Sequence, residues 1–252
     1  DDEEGEKQPP VHRFKTHLTH FLIALCALVF FLNTLQEMPL RKEERSDQTF
    51  LMTPLQALFM YDLPSGAPVE GAPYWKGIYG LVMSKVKGED PSSELGPLFG
   101  KIREGEVWRL FTPCLLHQGL LHVLFNMLWL WYLGRPIEER LGPLRTLILT
   151  LVVGIFANTM QYLMSGPFFI GYSGIVTGLA GFIWMREKVA PWEGYPLNRA
   201  TLLFLLFFIG AIFALQIVSF VFQAFTTYNF TPNIANTAHI AGAMMGALLA
   251  RS

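Results

Sequence analysis

Gly171-Tyr-Ser-Gly-Ile-Val-Thr-Gly-Leu-Ala-Gly-Phe-Ile-Trp-Met185 is an apolar block with a serine, Ser173, near its start and no acid along it. Asn236-Thr-Ala-His-Ile-Ala-Gly-Ala-Met-Met-Gly-Ala-Leu-Leu-Ala250 is a second, with one imidazole, His239, near its start. An ionisable side chain in hydrocarbon is costly, which makes it a functional candidate. A hydroxyl paired with an imidazole is the smallest unit that makes a serine nucleophile. If Ser173 and His239 meet, the chain is a protease or acyl hydrolase that works within the bilayer.

The rest of the chain surrounds these two blocks with more of the same. Of 252 residues, 52% are hydrophobic and 15% charged. The apolar residues gather into six blocks: 17–38, 115–133, 144–164, 171–185, 201–222 and 236–250. The fourth and sixth only just cover ~30 Å of hydrocarbon at the rise of a helix. Open strands would leave backbone groups unsatisfied in lipid, so the blocks are read as helices. The expected fold class is an all-α membrane protein: a polytopic bundle of six transmembrane helices with a long outer loop, about 39–110, after the first. The first block is long enough to be a retained span rather than a signal peptide. Residues 1–16 are read as a short cytoplasmic tail.

Composition also excludes some classes. A formal net charge of −1 without a basic cluster argues against nucleic acid as a partner. Cys26 and Cys114 lie in or beside separate apolar blocks and are read as packing residues, not a disulfide framework. The chain has no H-E-x-x-H, and neither a metal nor another cofactor is expected. Residues 144–185 and 201–252 contain no Asp or Glu, which disfavours a cation-coupled transporter.

Orientation follows from the short loops. Arg135, Arg140 and Arg145 lie between blocks two and three, and Arg186, Lys188 and Arg199 between four and five. The loops after blocks three and five have no Lys or Arg. The positive-inside rule puts the basic loops and both termini in the cytoplasm and the long loop outside. The second, fourth and sixth helices then all start from the outer side. His122, Asn126, Ser173 and His239 fall at similar shallow depth below one face. In the outer loop, 51–61 and 74–86 mix apolar and polar residues in a way that suits either a membrane surface or a small external subdomain.

Each candidate also has a structural reading. Gly171 and Gly174 flank Ser173, allowing close backbone approach and unusual dihedrals. Backbone N–H groups at a helix start can receive an oxyanion. A small-residue run at a helix start equally serves tight packing. Gly242 and Gly246 are four apart and make a smooth groove, and His239, three residues before Gly242, shares that side. The groove that admits a neighbouring helix would therefore aim the imidazole at it. A lone histidine there is otherwise a hydrogen-bonding group between helices. His122 and Asn126 stand at i, i+4 on one face, where both side chains can donate to a developing oxyanion; the alternative is a polar pair between helices. His117, five residues before His122, does not share that face. With no carboxylate in those spans, a triad reduces to a dyad.

Together these residues resemble a known family. Trp108-Arg109, His122-x-x-x-Asn126, Gly171-x-Ser173-Gly174 and Ala238-His239-x-x-Gly242-x-x-x-Gly246 look like the signature set of rhomboid intramembrane serine proteases. Residues 107–142 are similar to bacterial members. The resemblance implies that Ser173 is the nucleophile and His239 its general base and acid. It implies an oxyanion hole from His122, Asn126 and the Ser173 N–H, and structural roles for Trp108 and Arg109. The outer loop would embed partly in the outer leaflet. The fifth helix and the loop after it, 222–236, would admit substrate sideways from the lipid. Residues 17–252 would form the protease domain. Many bacterial members have a tyrosine four residues after the serine, stacked on the catalytic histidine. This chain has Thr177 there, so other packing must hold His239.

The expected function is an intramembrane serine endopeptidase that cleaves transmembrane segments of membrane protein substrates. Its partners would be those substrates and membrane lipids. Its location would be a bacterial inner membrane, with the active site opening to the outer side. The rival is a catalytically silent relative that binds client helices.

Overall fold

The computed structural model describes residues 13–47, 52–62, 74–88, 90, 95–196, 199–225 and 235–251. Among them are nine α-helices: α1 (His17–Asp47), α2 (Pro54–Phe59), α3 (Gly77–Val86), α4 (Gly100–Arg103), α5 (Leu120–Leu141), α6 (Pro143–Ser165), α7 (Ser173–Val189), α8 (Arg199–Phe225) and α9 (Asn236–Leu249). Single 3-10 turns lie at Val107–Leu110, Thr112–Leu115 and Pro191–Glu193. Among these residues the β structure is one isolated bridge, Tyr74 to Leu95. The fold is all-α, as expected, and membrane-associated. Two stretches of 23 residues, His17–Pro39 in α1 and Pro143–Ser165, are long and apolar enough to cross a bilayer.

Each apolar block coincides with a helix, but the ends differ for identifiable reasons. The second block begins at 115 in hydropathy, yet α5 starts at Leu120. Pro113-Cys114-Leu115 close a 3-10 turn, and Gly119 at φ +86° sets the α5 entrance. At its other end α5 continues to Leu141 through Pro136. Arg135 and Arg140 therefore lie on the helix itself, not in a loop. Helix α1 runs through its charged run to Asp47, because Lys, Glu and Arg are good helix formers. The outer-loop segments 51–61 and 74–86 contain α2 and α3.

Helices α7 and α9 pack most intimately. A Cβ added at Gly242 would overlap the carbonyl oxygen of Gly174, and one at Gly246 that of Gly178. Gly181 meets Ala243 O in the same way. The expected groove is thus a backbone-to-backbone seam. Helix α6 flanks both helices, and α5 packs on α1 and α7. Tyr172, Ile175, Leu179 and Ile183 fill the space beneath, with Cys26 of α1 and Leu130 and Leu133 of α5. Cys26 and Cys114 are buried free thiols, as the packing reading requires.

Polar groups tie the remaining parts together. Glu138 of α5 is fully buried and accepts from Leu18 N–H at 2.8 Å, Thr19 N–H at 2.7 Å and Thr19 Oγ1 at 2.6 Å. It thereby caps the start of α1, where a negative charge is also favoured by the helix dipole. Trp108 Nε1 donates to Leu58 O at 3.1 Å, and buried Arg109 donates to Met60 O at 2.7 Å and to Glu106 at 2.5 Å. These bonds hold the end of α2 against the 3-10 turn. At the opposite end, Arg186 pairs with Glu193 and donates to Ala250 O at 3.1 Å. Arg140 donates to Glu193 O and Gly194 O at 2.7 and 2.6 Å, and Tyr132 Oη to Pro196 O at 2.8 Å. Helix α8 follows that loop and is peripheral. It presents Leu203, Phe204, Leu206, Phe207 and Val218 outward and touches α5 through Phe204, stacked on Trp129 at 6.1 Å.

Candidate active site

Ser173 is the first residue of α7, half-buried, so its N–H belongs to the first turn and has no acceptor within the helix. The approach to it is tightly held. Gly171 adopts φ +118°, a conformation that L side chains rarely take. Its N–H donates to Pro113 O at 3.0 Å. Tyr172 is fully buried, and its N–H donates to Nε2 of His117 at 3.4 Å. The serine thus stands at a turn whose two preceding N–H groups are anchored to the segment before α5.

His239 lies in the first turn of α9, on the seam side, and is buried. Its Nε2 is 2.8 Å from Ser173 Oγ. The seam makes this contact possible: with Gly174 and Gly242 in backbone contact, the residues one before and three before them face each other. Gln161 of α6, also buried, accepts the Ala238 N–H at 3.0 Å and fixes the start of α9 one residue before the imidazole. When the serine donates to Nε2, the ring proton sits on Nδ1. Nδ1 of His239 is buried and has no hydrogen-bond partner among the described residues. No carboxylate among the described residues orients it. Packing and the serine contact do.

His122 and Asn126 share one face of α5, as their spacing predicts. Both look onto Gly171. A Cβ built there would lie 2.7 Å from His122 Nε2 and 3.7 Å from Asn126 Nδ2. Asn126 is buried and its Nδ2 donates to His122 O at 3.1 Å. Two side-chain donors therefore converge beside the peptide leading into Ser173. The arrangement can supply a nucleophile, a base within hydrogen-bond reach and donors near the site of a tetrahedral oxyanion.

Of the remaining sequence candidates, Gly174, Gly242 and Gly246 form the seam, while Trp108 and Arg109 brace the outer loop. Thr177 donates to Gly174 O at 3.0 Å and lies beside Gly242, so it belongs to the seam rather than covering the His239 ring. The loop proposed to admit substrate, 222–236, falls mostly outside the described residues. The sequence reading set His117 aside by its spacing from His122 and did not single out Gln161; both contact the elements that carry Ser173 and His239. Among the described residues no group of three or more His, Cys, Asp or Glu side chains is placed to hold a metal ion.

Residues 104–251 match the family model described as Rhomboid domain. A protein named Rhomboid protease GlpG from Salmonella choleraesuis (strain SC-B67) is 38% identical over 152 residues, covering 60% of this chain and 50% of that protein. The same figures hold for proteins of that name from Salmonella paratyphi A (strain ATCC 9150 / SARB42) and Salmonella newport (strain SL254). The chain spans about half the length of the curated relatives it matches.

Proposed function

The chain belongs to the rhomboid family, and from that premise we propose that it is an intramembrane serine endopeptidase working through a Ser173–His239 dyad. The observation that carries the reading is the 2.8 Å contact between Ser173 Oγ and His239 Nε2, facing two donors from α5. In the proposed reaction Ser173 Oγ attacks the scissile carbonyl carbon as His239 Nε2 takes the hydroxyl proton. The His122 and Asn126 side chains and the Ser173 N–H receive the oxyanion, an effect worth about 3 kcal/mol per donor in other serine hydrolases. His239 then gives the proton to the departing amine, and water hydrolyses the acyl-enzyme by the same path in reverse.

The substrates are transmembrane segments of other membrane proteins, cut near their outer ends. In the topology that supports this, α1, α5, α6, α7, α8 and α9 all cross the bilayer. The basic loops and both termini are cytoplasmic, residues 17–252 form the protease domain, and the cavity opens to the outer side of a bacterial inner membrane. The arginines at the α5–α6 junction and around Glu193 lie at the opposite end of the helices from Ser173, in keeping with the positive-inside rule. The outer loop rests partly in the outer leaflet.

Purified protein in proteoliposomes, given a single-span reporter, tests the reading. The parent should cleave the reporter, while Ser173→Ala and His239→Ala should not. A fluorophosphonate should label the parent and neither variant. Cleavage by Ser173→Ala at the parental rate refutes the proposal. Labelling and cleavage both absent from the parent, with reporter still bound, would favour a client-binding relative.

A further inference from the structure

His117 is fully buried, 1% exposed, and is not part of α5. Its ring reaches across 55 residues of sequence to the turn that presents the nucleophile. The chemistry of its two nitrogens is constrained. Nδ1 lies 3.2 Å from Leu115 O, and a carbonyl oxygen can only accept, so Nδ1 carries the proton. Nε2 is left with a lone pair, and it takes the Tyr172 N–H at 3.4 Å. Both nitrogens are occupied by backbone, so this neutral ring has no capacity to shuttle a proton. Its edge packs on the His122 ring, with centroids 5.1 Å apart and planes at 67°.

We propose that His117 is a positioning residue for the reaction, holding the Tyr172 peptide with one face of its ring chemistry and His122 with the other. The inference rests on the proteolytic reading of Ser173 and deepens it. With the Gly171 N–H bound to Pro113 O and the Tyr172 N–H bound to His117, the two peptides that lead into Ser173 are fixed, and with them the direction of the Ser173 N–H that receives the oxyanion in the proposed reaction. The brace on His122 keeps the opposing donor at the same place. One buried ring therefore sets the spacing between a backbone donor and a side-chain donor that arrive from different helices. Small errors in that spacing fall on the transition state more than on substrate binding, because the oxyanion forms only there.

Two polar substitutions separate this role from general support. His117→Gln reaches far enough to accept the Tyr172 N–H. His117→Asn keeps a polar group near Leu115 O but ends about one bond short of Tyr172. With the single-span reporter, Gln should retain kcat within about threefold of the parent, and Asn should lose about tenfold or more at similar KM. The thermal midpoints of the two variants should agree closely. Equal kcat in the two variants overturns the proposal, as does a loss in Asn that follows its thermal midpoint or appears in KM alone. The Ser173→Ala protein keeps the questions apart. If it is inactive while both His117 variants match the parent, the dyad reading stands and the positioning role falls. If it remains active, the dyad reading itself falls.

Discussion

Gly242 of α9 sits with its α-carbon directly against the carbonyl of Gly174, the residue after Ser173 on α7. A single methyl at position 242 has nowhere to go, since the atom it meets is backbone rather than a movable side chain. Gly242→Ala should therefore part the two helices and lengthen the Ser173–His239 contact. Overpacking of this kind costs about 3 kcal/mol. The expected result is a lowered thermal midpoint together with near-complete loss of reporter cleavage. A variant that keeps parental activity would show that the seam can shift without disturbing the dyad.

Gln161 is the group that pins the start of α9, through the Ala238 N–H. Gln161→Leu orphans that N–H in a buried site, a cost of about 1–2 kcal/mol. The larger effect should fall on turnover, because the displaced turn carries His239. Gln161→Glu retains an acceptor oxygen and should keep more activity than Leu. Steady-state cleavage by the two variants, compared at matched folded fractions, provides the check.

Glu138 contributes to stability at a distance from the chemistry. Its carboxylate satisfies two N–H groups and one hydroxyl at the start of α1. Glu138→Ala should destabilise the protein by about 3 kcal/mol, since buried partners of a charged acceptor are left unmet. Glu138→Gln should lie between Ala and the parent. Denaturant titration of the purified proteins measures the order, and an Ala variant as stable as the parent would contradict it.

Arg109 is bound through two different nitrogens, to Met60 O and to Glu106. Lysine cannot reproduce that fork. Arg109→Lys should loosen the link between the end of α2 and the 3-10 turn, costing about 2 kcal/mol. Limited proteolysis should then cut the outer loop faster in the variant than in the parent.

The helices were legible from hydropathy, and α6 most fully, because Pro143 starts it and glycines 142 and 166 flank it. The α5 entrance was not. Leu115 and Leu116 are as apolar as a helix interior, and what excludes them is the 3-10 turn that ends at Leu115 together with the turn geometry at Gly119. That error also hid His117. The facing rule for residues five apart presumes that both lie on one helix, whereas His117 precedes the helix and returns to His122 from outside it. The shared face of His122 and Asn126 was legible from spacing within one helix, and the approach of His239 to Ser173 from the Gly242–Gly246 groove that lets α9 close on α7. Gln161 was not, since a single amide in an apolar block carries no pattern. The surroundings of Thr177 were likewise visible only in three dimensions. Its hydroxyl turns back to its own helix at Gly174, while His239 is buried beside Ser173.

The seam has one more consequence, which concerns the order of synthesis. Ser173 is translated and inserted well before His239, and until α9 docks against α7 the His239 imidazole is not within reach of the hydroxyl. Under the proposed function, a nascent or partly assembled chain is therefore latent. Reactivity arrives only with α9, and the host membrane is spared a half-built protease.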